Sequence, residues 1–279
     1  MTEIRNNTAQ DLASAGSAPF IALNRADVVR AGRTILSVPS FQLAEGESVA
    51  LLGPNGAGKS TFVKLITREV MPLYRDEPPV MFRGQQRPRL AELRRSLGIV
   101  SSSMQDQITV HVPTLDIVAG GVTGTLALPF NVPQDQADEA RSIARRPMEL
   151  LGIADLADRD VTTLSTGQAR RALIARALVN DPDAVIFDEP CTGLDPQGMY
   201  YVRKSMRTLA QRGKAIVLVT HYPEDVIPEI KRLLLIKDGT VFADGPKEDL
   251  MTSETVSSLF DIPVRITCTE GYYSLVTAY

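Results

Sequence analysis

Residues 51–61 read LLGPNGAGKST. Two leucines close an apolar run (SVALL, 48–52), and three glycines, a lysine and two hydroxyl residues follow at once. Gly53, four intervening residues, then Gly58, Lys59 and Ser60 is the spacing of a phosphate-binding loop between a buried strand and a helix. Gly53, Gly56 and Gly58 let the backbone bend sharply, so that the loop completed by Pro54, Asn55, Ala57 and Thr61 can turn its N–H groups toward one anion. A helix opening near Lys59 adds the positive end of its dipole. Lys59 is placed to reach the β- and γ-phosphates, and the Ser60 hydroxyl to coordinate Mg²⁺. A plain glycine-rich turn has a similar composition, so the rest of the chain must decide what the loop is for.

The chain has 279 residues, 44% hydrophobic and 23% charged, which is ordinary for a globular protein with a substantial core. A net charge of −3 gives no global attraction to nucleic acid or anionic membrane. Cys191 and Cys268 form neither a disulfide framework nor a metal-ligand spacing, and fit a reducing, cytoplasmic setting. No apolar run approaches the roughly 18 residues that would span a bilayer. Residues 1–19 lack an apolar signal core and read as a flexible tail.

Residues 20–49 alternate in short apolar stretches and predict an antiparallel sheet. Residues 71–95 read as loop plus a short charged helix, and residues from about 104 as a helical insertion. Beyond it, strand and helix alternate: helix 168–180, strand DAVIFDE, helix 196–211, strand AIVLVTH, then two strands joined by an Asp238–Gly239 turn. Such alternation predicts a parallel sheet covered on both faces. Residues 251–279 read as a terminal extension carrying a short strand pair.

In AVIFDEP (184–190) a buried strand ends in two acids, at the end where parallel sheets bind ligands. Asp188 is placed to share Mg²⁺ with Ser60, and Glu189 to polarise an attacking water, the acidic element that phosphoryl transfer requires. In LSTGQARRALIARAL (164–178), Ser165, Thr166 and Gly167 open a second helix able to hold an anion, although a simple N-capped helix would look the same. LSTGQ resembles the signature motif of ATP-binding-cassette (ABC) ATPases, usually LSGGQ. Ser165 lies 23 residues before Asp188, the order found in that family. TGLDP (192–196) resembles the D-loop, with Asp195 at a subunit interface. VTHYPEDV resembles the H-switch, with His221 on the γ-phosphate.

The resemblance implies an α/β fold: a P-loop ABC ATPase core with an antiparallel β-subdomain and a helical subdomain. It spans about residues 20–250, with the helical part near 104–172 and residues 251–279 packed on the domain. It implies ATP and Mg²⁺ as cofactors and a nucleotide-dependent homodimer in which Ser165, Gly167 and Gln168 of one copy cover ATP held by the other. It further implies an integral membrane permease partner and a peripheral position on the cytoplasmic face of the membrane. Two positions depart from the family pattern. In GIVSSSMQ (98–105), Ser102 stands where the Q-loop glutamine is expected and Gln105 three residues later, so either could serve the metal. No aromatic residue lies between Ile21 and Ser40, where the family stacks one on adenine, and Arg30 is the candidate replacement. The motifs VSSSMQ, THYPEDVIPEI and SSLFDIPVRI look most like the molybdate-transport or photorepair-type group. The alternative is a soluble ABC ATPase acting on DNA, ribosomes or another assembly. Against it, the arginines at 83, 87, 89, 94 and 95 read as a solvated face in an acidic chain.

Overall fold

The computed structural model describes residues 18–277, so the tail expected over residues 1–19 lies almost wholly outside the described residues. In chain order the elements are β1 (Ile21–Arg30), β2 (Arg33–Leu43), β3 (Val49–Leu52), α1 (Lys59–Ile66), β4 (Val80–Phe82), α2 (Leu90–Ser96), β5 (Leu97–Ser101), α3 (Ser102–Asp106), α4 (Thr114–Thr123) and α5 (Gln134–Leu150). There follow α6 (Thr166–Leu178), β6 (Ala184–Asp188), α7 (Pro196–Gln211), β7 (Ala215–Thr220), β8 (Arg232–Lys237), β9 (Thr240–Pro246), α8 (Lys247–Leu250), α9 (Ser253–Phe260), β10 (Val264–Thr269) and β11 (Tyr272–Thr277).

Nine strands form one sheet in the order β4-β1-β2-β9-β8-β3-β7-β6-β5. Strands β8, β3, β7, β6 and β5 run parallel. VALL, AVIF and AIVLV are apolar throughout because both faces of these strands are covered. Alternate residues serve opposite cores. Ala50 and Leu52 join the core built by α4–α7 and α9, while Val49 and Leu51 join the core of α1 and the antiparallel strands. The antiparallel part, β1 with β2 and β4, is not a separate sheet. It continues the parallel core through β9, which is antiparallel to β8 and meets β2 at Ser37–Thr240.

The Asp238–Gly239 turn adopts positive φ at both residues (50° and 73°), as a two-residue type I′ hairpin requires. Helix α7 starts where its sequence says it must: the Asp195 carboxylate accepts the Gly198 N–H at 2.7 Å and Pro196 occupies the first turn. Two elements differ from the sequence expectation. Val80–Phe82, read as loop, adds strand β4 to the edge of β1. Ser253–Phe260 is a helix ahead of the expected strand pair, capped by Thr252, whose hydroxyl accepts the Thr255 N–H.

Candidate active site

The carboxyl ends of four strands meet at one edge of the sheet. Leu52 lies opposite Thr220, Val219 opposite Asp188, and Asp188 opposite Ser101. The phosphate loop, His221, the Asp188–Glu189 pair and the Ser101–Ser102 step therefore leave the sheet side by side, where open parallel sheets bind ligands.

Three glycines shape the loop for different reasons. A Cβ on Gly53 would lie 2.0 Å from the Ile236 carbonyl oxygen, so this residue is required by close approach to β8. Gly56 and Gly58 sit at φ 79° and 106°, and Gly58 is the N-cap of α1. The Asp238–Gly239 hairpin supports the loop, the Gly239 N–H donating to the Ala57 carbonyl at 3.0 Å. Lys59 is buried, and its Nζ donates to the Gly53 and Pro54 carbonyls at 2.8 and 2.9 Å. Burial pulls its pKa below the ordinary lysine value, while the charges of Glu189 and Asp188 pull the other way. Asn55 and Ser60 are exposed on the rim.

Asp188 ends β6. Its Oδ1 is buried with no hydrogen-bond partner, which leaves a carboxylate oxygen for a hard cation. Burial raises its pKa, with Glu189 adding and Lys59 opposing. Glu189 has left the strand geometry altogether: its φ is 50°, a left-handed backbone that costs energy for a residue with a Cβ. The turn is held by the Glu189 N–H donating to the Val219 carbonyl at 2.8 Å. It aims the side chain between His221, whose Nδ1 lies 3.3 Å from Oε1, and Thr192, whose hydroxyl donates to Oε2 at 3.4 Å. Asp188 and Glu189 are adjacent in sequence yet face separate tasks, one a free buried oxygen and the other a carboxylate paired with a histidine.

Ser165, Gly167 and Gln168 lie at the start of α6. The Ser165 hydroxyl accepts the Gln168 N–H at 3.3 Å, and the Gln168 amide oxygen accepts the Ser165 N–H at 3.0 Å. This reciprocal capping box sets the first turn and engages the Gln168 amide oxygen within its own helix. Ser165 and Thr166 are exposed. Gly167 has a packing role that its motif does not announce: a Cβ there would lie 2.9 Å from the Gly198 Cα of α7. Gly198, which sequence reasoning did not single out, lets α6 and α7 touch backbone to backbone. Gly167→Ala is expected to cost about 1–3 kcal/mol by overpacking this crossing, read as a lower denaturation midpoint at unchanged slope. Among the described residues no hydrogen bond joins 165–168 to the phosphate loop 53–61.

The model of the family described as ABC transporter matches residues 36–192, more than half of the chain. An uncharacterised ABC transporter ATP-binding protein of Bacillus subtilis, YlmA, is 32% identical over 88% of this chain and 93% of its own length. The Nod factor export ATP-binding protein I of Paraburkholderia xenovorans is 35% identical over 82% of this chain and 72% of its own. The chain belongs to the ABC transporter ATP-binding family. Among solved structures, CbiO1 of Clostridium perfringens, part of the transporter complex CbiONQ, aligns with a TM-score of 0.70 at 25% identity, over 86% of this chain and 94% of that one. This chain is accordingly an ATP-binding, ATP-hydrolysing subunit of a transporter.

Other expected site residues stand apart from this cluster. The Gln105 amide oxygen accepts from Arg170 Nε at 3.1 Å, tying α3 to the signature helix of the ABC ATPase. The register instead puts Ser101 beside Asp188, with Ser102 next in the chain. Arg30 is exposed at the end of β1, before the Ala31–Gly32 turn. Asp195 is engaged as the cap of α7. Arg83 is no free basic surface, since it binds Glu45 at 2.6 Å and Asp183 at 2.9 Å and stacks on Phe20 and Phe82.

Proposed function

We propose that this ATPase works as a nucleotide-dependent homodimer and energises a separate integral membrane permease. What carries the reading is the division of one chemistry between two places. The phosphate loop, Asp188, Glu189 and His221 share one sheet edge, while the exposed Ser165 stands on a helix start that makes no hydrogen bond to that loop. A second copy can bring its Ser165 and Gly167 to the nucleotide, with Asp195 near the interface.

Lys59 and the loop N–H groups neutralise the β- and γ-phosphate oxygens. Ser60 and the unpartnered Asp188 Oδ1 are the residues that would hold Mg²⁺, which when bound supplies positive charge to the phosphate oxygens. Glu189 orients a water in line with the γ-phosphorus and accepts its proton as the oxygen attacks, while the bond from that phosphorus to the β–γ bridging oxygen breaks and ADP leaves with the electron pair. His221 steadies the terminal phosphate and, through Nδ1, the Glu189 carboxylate. Residues 20–250 form the ATP-binding unit, residues 104–172 its helical part, and residues 251–279 an extension packed against it. The wording of VSSSMQ, THYPEDVIPEI and SSLFDIPVRI is what supports the further reading that the chain is of the molybdate-transport or photorepair-type group.

No helix among the described residues is long and apolar enough to cross a membrane, so attachment to the cytoplasmic face depends on the permease. Expressed with a tag in its native cell, the chain is expected in the membrane fraction and, after detergent extraction, with a multi-span protein. Recovery only with ribosomes or DNA would instead favour the soluble ABC ATPase.

Arg30 stacks its guanidinium on adenine in this account. A cation over a purine contributes about 0.5–2 kcal/mol, so Arg30→Ala is expected to weaken ATP binding from a few-fold to roughly thirtyfold. Arg30→Tyr restores it, and binding of inorganic triphosphate, which has no base, changes much less. Equal weakening of both ligands would mean long-range charge attraction and no stacking.

A further inference from the structure

We infer that Glu224 is a positioning residue for His221, held in that role by the C-terminal hairpin β10–β11; this rests on the proposed contact of His221 with the γ-phosphate. His221 follows β7 directly and precedes a tight 3₁₀ turn, Pro223–Asp225. Both ends of this segment are fixed from the core side. Asp225 is buried, accepting the Thr220 hydroxyl at 2.9 Å and Arg203 Nη2 at 2.7 Å. The Tyr222 N–H donates to the Thr220 hydroxyl oxygen at 3.0 Å. The residues flanking His221 are thus tied to β7 and α7.

Between these anchors Glu224 points the other way. Its Oε1 accepts the Leu275 N–H of β11 at 2.8 Å. Leu275 faces Ile266 in the hairpin, and the Ile266 N–H also points outward, donating to the Ser253 hydroxyl at 2.9 Å. The hairpin therefore spends a free edge N–H, which an isolated strand pair would leave to solvent, on the turn beside His221.

The hairpin is itself pinned to the residues that follow that turn. Arg207 Nη1 donates to the Tyr272 hydroxyl at 2.6 Å while its Nε donates to Glu229 at 2.8 Å. The buried Lys247 donates to the Ile227 and Pro228 carbonyls at 3.2 and 3.4 Å and lies 5.5 Å from the Tyr273 ring centre. Gly271, at φ 81°, turns against Pro228. All of these contacts converge on residues 224–229, so the terminal extension braces the H-switch from outside as Asp225 does from inside. Because reacting groups tolerate little displacement, releasing one brace acts on turnover before it acts on ATP binding.

The test is steady-state and single-turnover ATP hydrolysis by the full chain carrying Glu224→Ala, Glu224→Gln, His221→Ala or the His221→Ala/Glu224→Ala pair. Glu224→Ala is expected to lower kcat roughly three- to thirtyfold, within the range of coupling found across one hydrogen-bond network, with KM for ATP within about twofold. Glu224→Gln keeps an acceptor oxygen and is expected to retain kcat within about twofold. The double variant is expected to match His221→Ala alone. A multiplied loss in the double variant, or equal loss from Gln and Ala, overturns the positioning role while leaving His221 in place. Full turnover in His221→Ala overturns the reading of His221 itself, and this inference with it.

Discussion

Glu189→Gln is expected to bind ATP as the parent chain does and to hydrolyse it roughly 10²–10⁴-fold more slowly, the usual worth of a general base. The glutamine keeps the size of the side chain and one acceptor oxygen, so it can still meet His221 Nδ1 and the Thr192 hydroxyl. It cannot take a proton from water. The strained backbone at φ 50° is what aims this position into the site, and the substitution leaves that backbone intact. Phosphate release and equilibrium ATP binding, measured on the same preparation, separate the two effects. Near-normal turnover would remove Glu189 from the role of base.

Lys59→Ala is expected to weaken ATP binding about ten- to hundredfold, the worth of one charge-assisted hydrogen bond. The ammonium is buried and prepaid in position, since its Nζ already spans the loop carbonyls of Gly53 and Pro54. Its removal also leaves Asp188 and Glu189 without the nearby cation that offsets their repulsion of a polyanion. Isothermal titration reads the change directly. Unchanged affinity would mean that the loop N–H groups hold the phosphates alone.

What the sequence discloses and what it hides follow from how far apart the partners are. Residues 53–61 are legible because loop, cap and cation lie within one turn of chain. Helix α7 is legible through Asp195 and Pro196, and the β8–β9 hairpin through Asp238–Gly239, for the same reason. Strand β4 is only three residues long and exists because β1 offers an edge, so no local pattern marks it. Arg83 looks solvated in sequence because Glu45 and Asp183, 38 and 100 residues away, are what neutralise it, whereas Arg87, Arg89, Arg94 and Arg95 are exposed as their sequence suggests. Gln105 is drawn to Arg170, 65 residues on, and no spacing rule predicts that. The Gly167–Gly198 crossing and the Glu224–Leu275 bond are equally non-local. Motif spacing thus finds the groups proposed to touch the nucleotide, and only the fold finds the groups packed and hydrogen-bonded behind them.

The proposed homodimer depends on Ser165 and Gly167 of one copy completing the nucleotide site of another. Light scattering of the Glu189→Gln variant with Mg-ATP tests it most directly, because this variant is expected to bind ATP without consuming it. The expected result is the mass of a dimer with ATP, of a monomer with ADP, and of a monomer with ATP once Ser165→Arg is added to block the exposed helix start. A chain that stays monomeric with saturating ATP, or a dimer indifferent to both nucleotide and Ser165→Arg, would contradict it.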